Sequence, residues 1–226
     1  MIPVVVLVVA KAPVPGQAKT RLAAGVGDRA AADIAAAALL DTLDAVAEAP
    51  VAARVVALTG DLGAASAGDE IRTRLADFTV VPQRGADFAA KLANAHVDAA
   101  AAAGRLPVLQ IGMDTPQVTA ELIGECAREL LAADAVLGLA RDGGWWVLGV
   151  TEAAKADCLR AIPMSRSDTG AVTLAALGDT GANVSLVPTL ADVDTVDDVD
   201  AVRQECAPDS RFVRATREVS GARKPL

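Results

Sequence analysis

Residues 4–22, VVVLVVAKAPVPGQAKTRL, constrain this chain more than any other stretch. An unbroken run of valine and leucine, with no polar alternation, suits a strand buried on both faces, as in a parallel sheet covered by helices. The run empties into a loop that carries Pro13, Pro15 and Gly16 and then Lys19, Thr20 and Arg21. Prolines fix φ, so this loop is held in one shape before any ligand arrives. Open α/β sheets bind ligands beyond the carboxyl ends of their strands. Lys11, Lys19 and Arg21, with Pro15 shaping the loop and Gly16 offering a backbone N–H, therefore make a candidate anion site. The plain alternative is a solvated loop with chance basic residues.

Two familiar phosphate loops are excluded. Gly16 has no partner glycine at the spacing of G-x-x-x-x-G-K-[ST], and no G-x-G-x-x-G is present here, which argues against an ordinary P-loop ATPase or a nicotinamide enzyme. The formal charge of −8 argues against a nucleic-acid groove, because the basic residues concentrate in this loop and in the C-terminal segment. The anion recognised should be small. Three cysteines, Cys126, Cys158 and Cys206, stand far apart without CxxC spacing, so neither a disulfide framework nor a zinc site is indicated and a reducing cytoplasm fits. The apolar start is too short to span a bilayer and lacks a basic leader, and reads as a strand.

Further along, apolar spacing among alanines predicts a long helix over 31–47, and a short strand over 54–58 precedes a weaker, glycine-interrupted helix in 61–77. A third strand at 78–81 leads to Gln83, Asp87 and a helix over 88–102 in which His96, the sole histidine, reads as structural. PVLQIG, residues 107–112, is another buried strand, and Asp114 follows it. A carboxylate there can hold a divalent ion across diphosphate oxygens. Thr119 is available to cap the helix at 120–132.

A strand over 134–140 ends in Arg141-Asp142-Gly143-Gly144, whose glycines permit close backbone approach. Trp145 and Trp146 open the next strand on opposite faces, so one lines the cleft and the other packs inside. A short helix is expected over 152–161, a helix over 169–177 capped by Ser167 or Asp168, and a strand over 183–187. Thr195 and Asp198 resemble a capping box, and Asp192 and Asp194 precede it. One of them can complete a metal site with Asp114. Asp194 is favoured because it adjoins the capped helix, and a purely helix-capping acidic turn is the alternative.

Five segments in order resemble the bacterial DUF2064 family of glycosyltransferase-A-like proteins, the radical-SAM or selenodomain-associated glycosyltransferase type. They are Lys11 to Leu22, Gln83 to Asp87, Ile111 to Pro116, Leu137 to Gly149 and Asp192 to Thr195. Relatives by fold include the guanylyltransferases of molybdenum cofactor and phospholactate metabolism. The resemblance implies that Gln83 and Asp87 sit at the nucleotide end of the sheet, Gln83 reading a base edge; capping the following helix is the other reading of Asp87. The chain departs from the family pattern at Gln117, where a second acid is usual, at Thr115 for a cysteine, at Trp145 and Trp146 for tyrosines, and at Met164 for a tryptophan.

The resulting expectation is a three-layer α/β/α sandwich with a mainly parallel sheet, of glycosyltransferase-A (nucleotide-diphospho-sugar transferase) type. Residues 1–205 would form a single domain and 206–226 a basic tail, disordered or wrapping a neighbour as in a homodimer. Lys11, Lys19 and Arg21 would neutralise phosphate, Asp114 and Asp194 would hold Mg²⁺ or Mn²⁺, and Asp142, Gly143, Gly144 and Trp145 would position a small acceptor. Lys19 and Asp114 would carry catalysis. Glycosyl transfer from a nucleotide sugar is one chemistry, nucleotidyl transfer from an NTP another, and a catalytically silent nucleotide binder, prompted by Gln117, a third.

Overall fold

A computed structural model describes residues 1–219. Seven strands form one sheet in the order β3-β2-β1-β4-β6-β5-β7. The opening valine run is β1, Ile2–Lys11, and lies near the middle of the sheet, parallel to β2 (Val51–Thr59) on one side and β4 (Val108–Ile111) on the other. Val4 to Val8 are fully buried, as a strand covered on both faces must be. β3 (Thr79–Pro82) extends the parallel half.

β5 (Ala135–Ala140) and β6 (Trp145–Val150) pair antiparallel, β6 also pairs antiparallel with β4, and β7 (Val184–Leu190) runs parallel to β5. The reversal at β6 follows from its connection. Four residues, Arg141 to Gly144, separate β5 from β6, and a parallel crossover needs a dozen or more.

The sheet alternates its side chains between two cores. Val4, Val6 and Val8 meet the Ala/Leu face of α2 (Asp28–Glu48) and α5 (Ala120–Ala132), whereas Val5, Leu7 and Val9 meet α4 (Phe88–Ala102), the 3₁₀ helix Ala153–Ala161 and α6 (Thr169–Asp179). These are the three layers expected. With aromatics at only 2% of residues, alanines line the helix faces that pack on the sheet.

Two helices are not evident in the sequence pattern. α1, Thr20–Val26, follows the cationic loop directly. α8, Arg211–Ala215, lies in the segment expected to be a basic tail, disordered or wrapping a neighbour. It comes after α7 (Val196–Glu205) and packs on α2: Phe212 is fully buried in a third core with Leu22, Ile34, Val199 and Val202. Arg211 donates to Asp44 at 2.5 Å and to Glu70 at 3.0 Å, and Asp41 accepts from the Phe212 N–H at 2.8 Å. Residues 206–219 thus fold back on their own domain, because Phe212 finds apolar cover there and Arg211 finds three carboxylates. Of the other basic residues of that segment, Arg214 and Arg217 lie within the described residues and Arg223 and Lys224 outside them. No helix among the described residues is long and apolar enough to cross a membrane. α3 (Gly68–Leu75) completes the helical cover beside α2.

Candidate active site

One cavity of about 800 Å³ opens at the carboxyl ends of β1 and β4. Its size lies within the range of small-molecule sites. The cationic loop enters from β1. Ser66 N–H donates to the Pro13 carbonyl at 3.0 Å, fastening the loop to the turn that follows β2. Gly16 turns the chain at φ 74°. Lys19 then precedes α1 in the left-handed region, at φ 48° and ψ 49°, a conformation that costs a non-glycine residue roughly 1–2 kcal/mol. The fully buried Leu22 anchors the helix that follows.

This backbone delivers the Lys19 ammonium to the acids. Its Nζ lies 2.6 Å from Asp114 Oδ2 and 3.5 Å from Asp194 Oδ1, and Arg21 Nη1 lies 2.7 Å from Asp194 Oδ2. Burial works to lower the Lys19 pKa, but the Asp114 carboxylate, with Asp194 and Asp192 behind it, outweighs burial and raises it. The ammonium is therefore charged at neutral pH. Lys11 lines the same cavity, its Nζ donating to the Gln17 carbonyl at 2.7 Å.

The acids come from two loops joined to each other. Asp114 follows β4, and its carbonyl accepts from Val193 N–H at 3.4 Å. Val193 is buried, so the residues on either side of it, Asp192 and Asp194, turn the other way and both line the cavity. The capping box at the start of α7 holds this loop: Asp198 Oδ2 accepts from the Asp194 and Thr195 N–H groups at 3.1 and 2.7 Å. Gln117 donates from Nε2 to the Ala191 carbonyl at 2.5 Å. An ionised carboxylate cannot donate, so the amide serves this chain by pinning the 191–194 loop.

Asp192 and Asp194 differ in charge environment. Asp194 is neutralised by Lys19 and Arg21. Asp192 is pushed up to about 6, first by burial and then by the carboxylates of Asp114 and Asp142, with Lys19 offsetting only part. Among the described residues no three acidic, His or Cys side chains form a ready metal cage. The set present fits an ion that takes one or two carboxylates and fills its other positions from phosphate, which is the habit of Mg²⁺.

Asp142 Oδ1 accepts from the Gly144 N–H at 2.8 Å, and Asp142, Gly144 and Trp145 line the same cavity. Trp146 is buried and donates from Nε1 to the Pro188 carbonyl at 2.8 Å, so the two indoles divide as expected from strand alternation.

Several expected site residues stand elsewhere. Pro15, Gly16 and Gly143 are not among the cavity lining. A Cβ on Gly143, at φ 91°, would meet Ser167 O at 1.9 Å, so this chain's own loop, and no ligand, makes the close approach. Gln83 donates both amide hydrogens, to the carbonyls of Ala10 at 2.8 Å and Ala57 at 2.9 Å, tying the ends of β1 and β2 together and leaving no donor for a base. Asp87 caps α4 by accepting from the Ala90 N–H at 2.8 Å. Asp168 makes no capping hydrogen bond to α6; Arg166 holds it at 2.9 and 3.0 Å. His96 is fully buried and pushed down to about 3 by that burial, a neutral core residue. Burial likewise pushes Cys126 and Cys206 up to about 12, and all three cysteines are free.

Known proteins share the family and the fold of this chain. A family described as an uncharacterized protein conserved in bacteria, DUF2064, matches residues 42–166. No curated protein matches. A crystal structure from Desulfovibrio desulfuricans G20, of a protein provisionally named a nucleotide-diphospho-sugar transferase, is 26% identical with a TM-score of 0.84, covering 96% of this chain and 95% of that one. Rv0371C of Mycobacterium tuberculosis H37Rv, solved in complex with manganese, is 18% identical with a TM-score of 0.54, covering 88% and 97%. A cytidylyltransferase from Leptospira borgpetersenii is 12% identical with a TM-score of 0.57, covering 100% of both chains. The last two likenesses are of fold.

Proposed function

This chain belongs to the DUF2064 family, and on that footing we propose that it is a metal-dependent transferase that moves a sugar from a nucleotide-diphosphate donor to a small acceptor. The observation that carries the proposal is the meeting of Lys19, Arg21, Asp114 and Asp194 in one cavity, through contacts that span 95 and 173 residues of sequence. The name given to the Desulfovibrio protein, and the high overlap with it, favour the sugar-transfer reading.

Asp114 and Asp192 would hold Mg²⁺ or Mn²⁺, since Asp194 already has two cationic partners. A divalent ion bound there supplies positive charge to diphosphate oxygens and so eases departure of the nucleoside diphosphate. The protein's own groups do the remaining work. Arg21, with its guanidinium two-thirds exposed, and Lys11 reach outward to phosphate. Lys19 balances the acids and is positioned to exchange a carboxylate for a phosphate oxygen. Asp142 and Trp145 face the acceptor side, where Asp142 can accept a proton or a hydrogen bond from an attacking hydroxyl. No protein nucleophile is required, because orientation and charge stabilisation suffice for attack by a substrate oxygen.

Nucleotidyl transfer is the second reading, favoured by the Lys11, Lys19 and Arg21 cluster at the cavity, which Arg166 also lines, a supply suited to a triphosphate. The two separate by product. The protein is incubated with Mn²⁺, a panel of nucleotide sugars and NTPs, and hydroxylated and phosphorylated acceptors. Release of nucleoside diphosphate supports sugar transfer, and release of pyrophosphate replaces it with nucleotidyl transfer. A catalytically silent nucleotide binder is the third reading; the bond from the Gln117 amide to the Ala191 carbonyl gives that residue a structural role and weighs against it.

A further inference from the structure

β4 carries one residue that its surroundings do not explain. Gln110 pairs in register with Leu7 of β1 and Leu148 of β6, both fully buried, and is itself 2% exposed. By strand alternation it shares a face with Val108, which packs with Val5, Leu7, Leu148 and Val150. Its Oε1 has no hydrogen-bond partner among the described residues. An unpartnered buried amide oxygen costs roughly 1–3 kcal/mol.

Gln110 lines the active-site cavity, and the residues of its own core face that also line it, Val9, Leu92, Trp145 and Met164, are apolar. A ligand group charged at that depth would be desolvated with no counter-ion. The cations of the cavity are committed elsewhere: Lys11, Lys19 and Arg21 to the donor phosphates in the reading above, and Arg166 to Asp168. A neutral amide in a cavity that a flat indole also lines is matched by an uncharged ring with hydroxyls at its edge: the ring face covers Trp145, and, with the covered terminal amide turned toward the cavity, hydroxyls donate to Oε1 and accept from Nε2.

From this we propose that Gln110 is the specificity-determining residue of the cavity, reading the hydroxyls of an uncharged sugar ring, that of the donor, laid against Trp145. The assignment rests on the sugar-transfer reading of the site and adds to it the class of group bound. It also gives a reason for a polar side chain in an otherwise apolar strand, since the unmet oxygen is satisfied only with the ligand present. A site that hydrogen-bonds hydroxyls discriminates strongly against analogues lacking them.

The test uses Gln110→Leu, close in volume, in the full chain. Calorimetric titration in Mn²⁺ compares UDP, GDP, CDP, ADP and dTDP with their glucose conjugates, for wild type and variant. The expected wild-type result is tighter binding of one conjugate than of its parent diphosphate. In the variant that increment falls by at least about fivefold, diphosphate binding is unchanged, and the thermal midpoint is unchanged or raised, since an unmet buried polar atom has been removed. Equal increments in wild type and variant, or no wild-type increment, would overturn the assignment while leaving the nucleotide site standing. A marked fall in the midpoint would also overturn it, by showing that the amide has a structural partner. Failure of every diphosphate to bind would overturn the underlying site reading, and the sugar assignment with it.

Discussion

Replacing Lys19 by alanine separates the two things this residue does. Its ammonium lies 2.6 Å from Asp114 and 3.5 Å from Asp194, and the two carboxyl side chains keep 32% and 34% exposure. Unpairing a fully buried charge costs roughly 3–5 kcal/mol, but water reaches both acids here, so roughly 1–2 kcal/mol of stability is the expected loss. A charged hydrogen bond to phosphate is worth roughly 1.5–3 kcal/mol, and Lys19 must give up a carboxylate to make it. The low end of that range applies, about tenfold in the dissociation constant of a nucleoside diphosphate. Affinity for Mn²⁺ alone moves the other way, because the ammonium no longer competes for Asp114. Lys19→Gly should bind like the alanine variant but be more stable than it by about 1 kcal/mol, since glycine takes φ 48° without steric penalty. Urea denaturation and calorimetry read all three quantities. Unchanged affinities for both diphosphate and Mn²⁺ would refute the pairing described here.

Three other outcomes are expected. Phe212→Ala should cost about 3–5 kcal/mol in urea denaturation, because the ring is fully buried against α2 and α7; a loss below about 1 kcal/mol would mean that the segment is dispensable to the fold. Gln117→Glu should cost roughly 1–3 kcal/mol and weaken Mn²⁺ binding, as the donor to Ala191 is replaced by an acceptor beside the acid loop; unaltered metal affinity would remove Gln117 from that supporting role. The Asp192 carboxyl titrates near 6 in the fold against 3.8 ordinarily, so the folded state holds its proton more tightly. Its contribution favours folding at low pH and is lost as pH rises through the window from about 4 to about 6. Asp192→Asn should flatten thermal stability across that window, and Mn²⁺ should stabilise wild type far more above pH 6 than below pH 5; identical pH profiles for the two proteins would contradict the assignment.

Much of this architecture is legible before any coordinates. The Val4 to Val9 run specifies a doubly covered strand because no other arrangement buries both rows of valines. The tryptophan pair divides between cleft and core because a strand has a period of two. Thr195 and Asp198 announce their capping box by spacing alone. The sequence also holds the signal for the reversed strand, since Arg141 to Gly144 is too short to cross over, although alternating helices and strands draw attention to parallel pairing.

Other features depend on partners that only the fold supplies. α8 is five residues long, and nothing in RFVRA marks Phe212 as core until the α2 face and Asp41 are set beside it. Gln83 has the donors to read a base, but the Ala10 and Ala57 carbonyls at adjacent strand ends take them first. The choice between Asp192 and Asp194 turns on which of them Arg21 reaches, a contact spanning more than 170 residues. Gln110 had a readable sign, an amide within a buried strand, yet its meaning comes from the cavity it faces.

The account rests on a single pocket in which the cationic loop and the Asp114 and Asp192 carboxylates bind nucleotide and metal together. Titrating the nucleoside diphosphate panel into wild type and Asp114→Asn, each with Mn²⁺ and with EDTA, measures that coupling directly. The predicted result is binding at least about tenfold tighter with Mn²⁺ in wild type, and loss of that gain in the variant. Equal dissociation constants under all four conditions would contradict it.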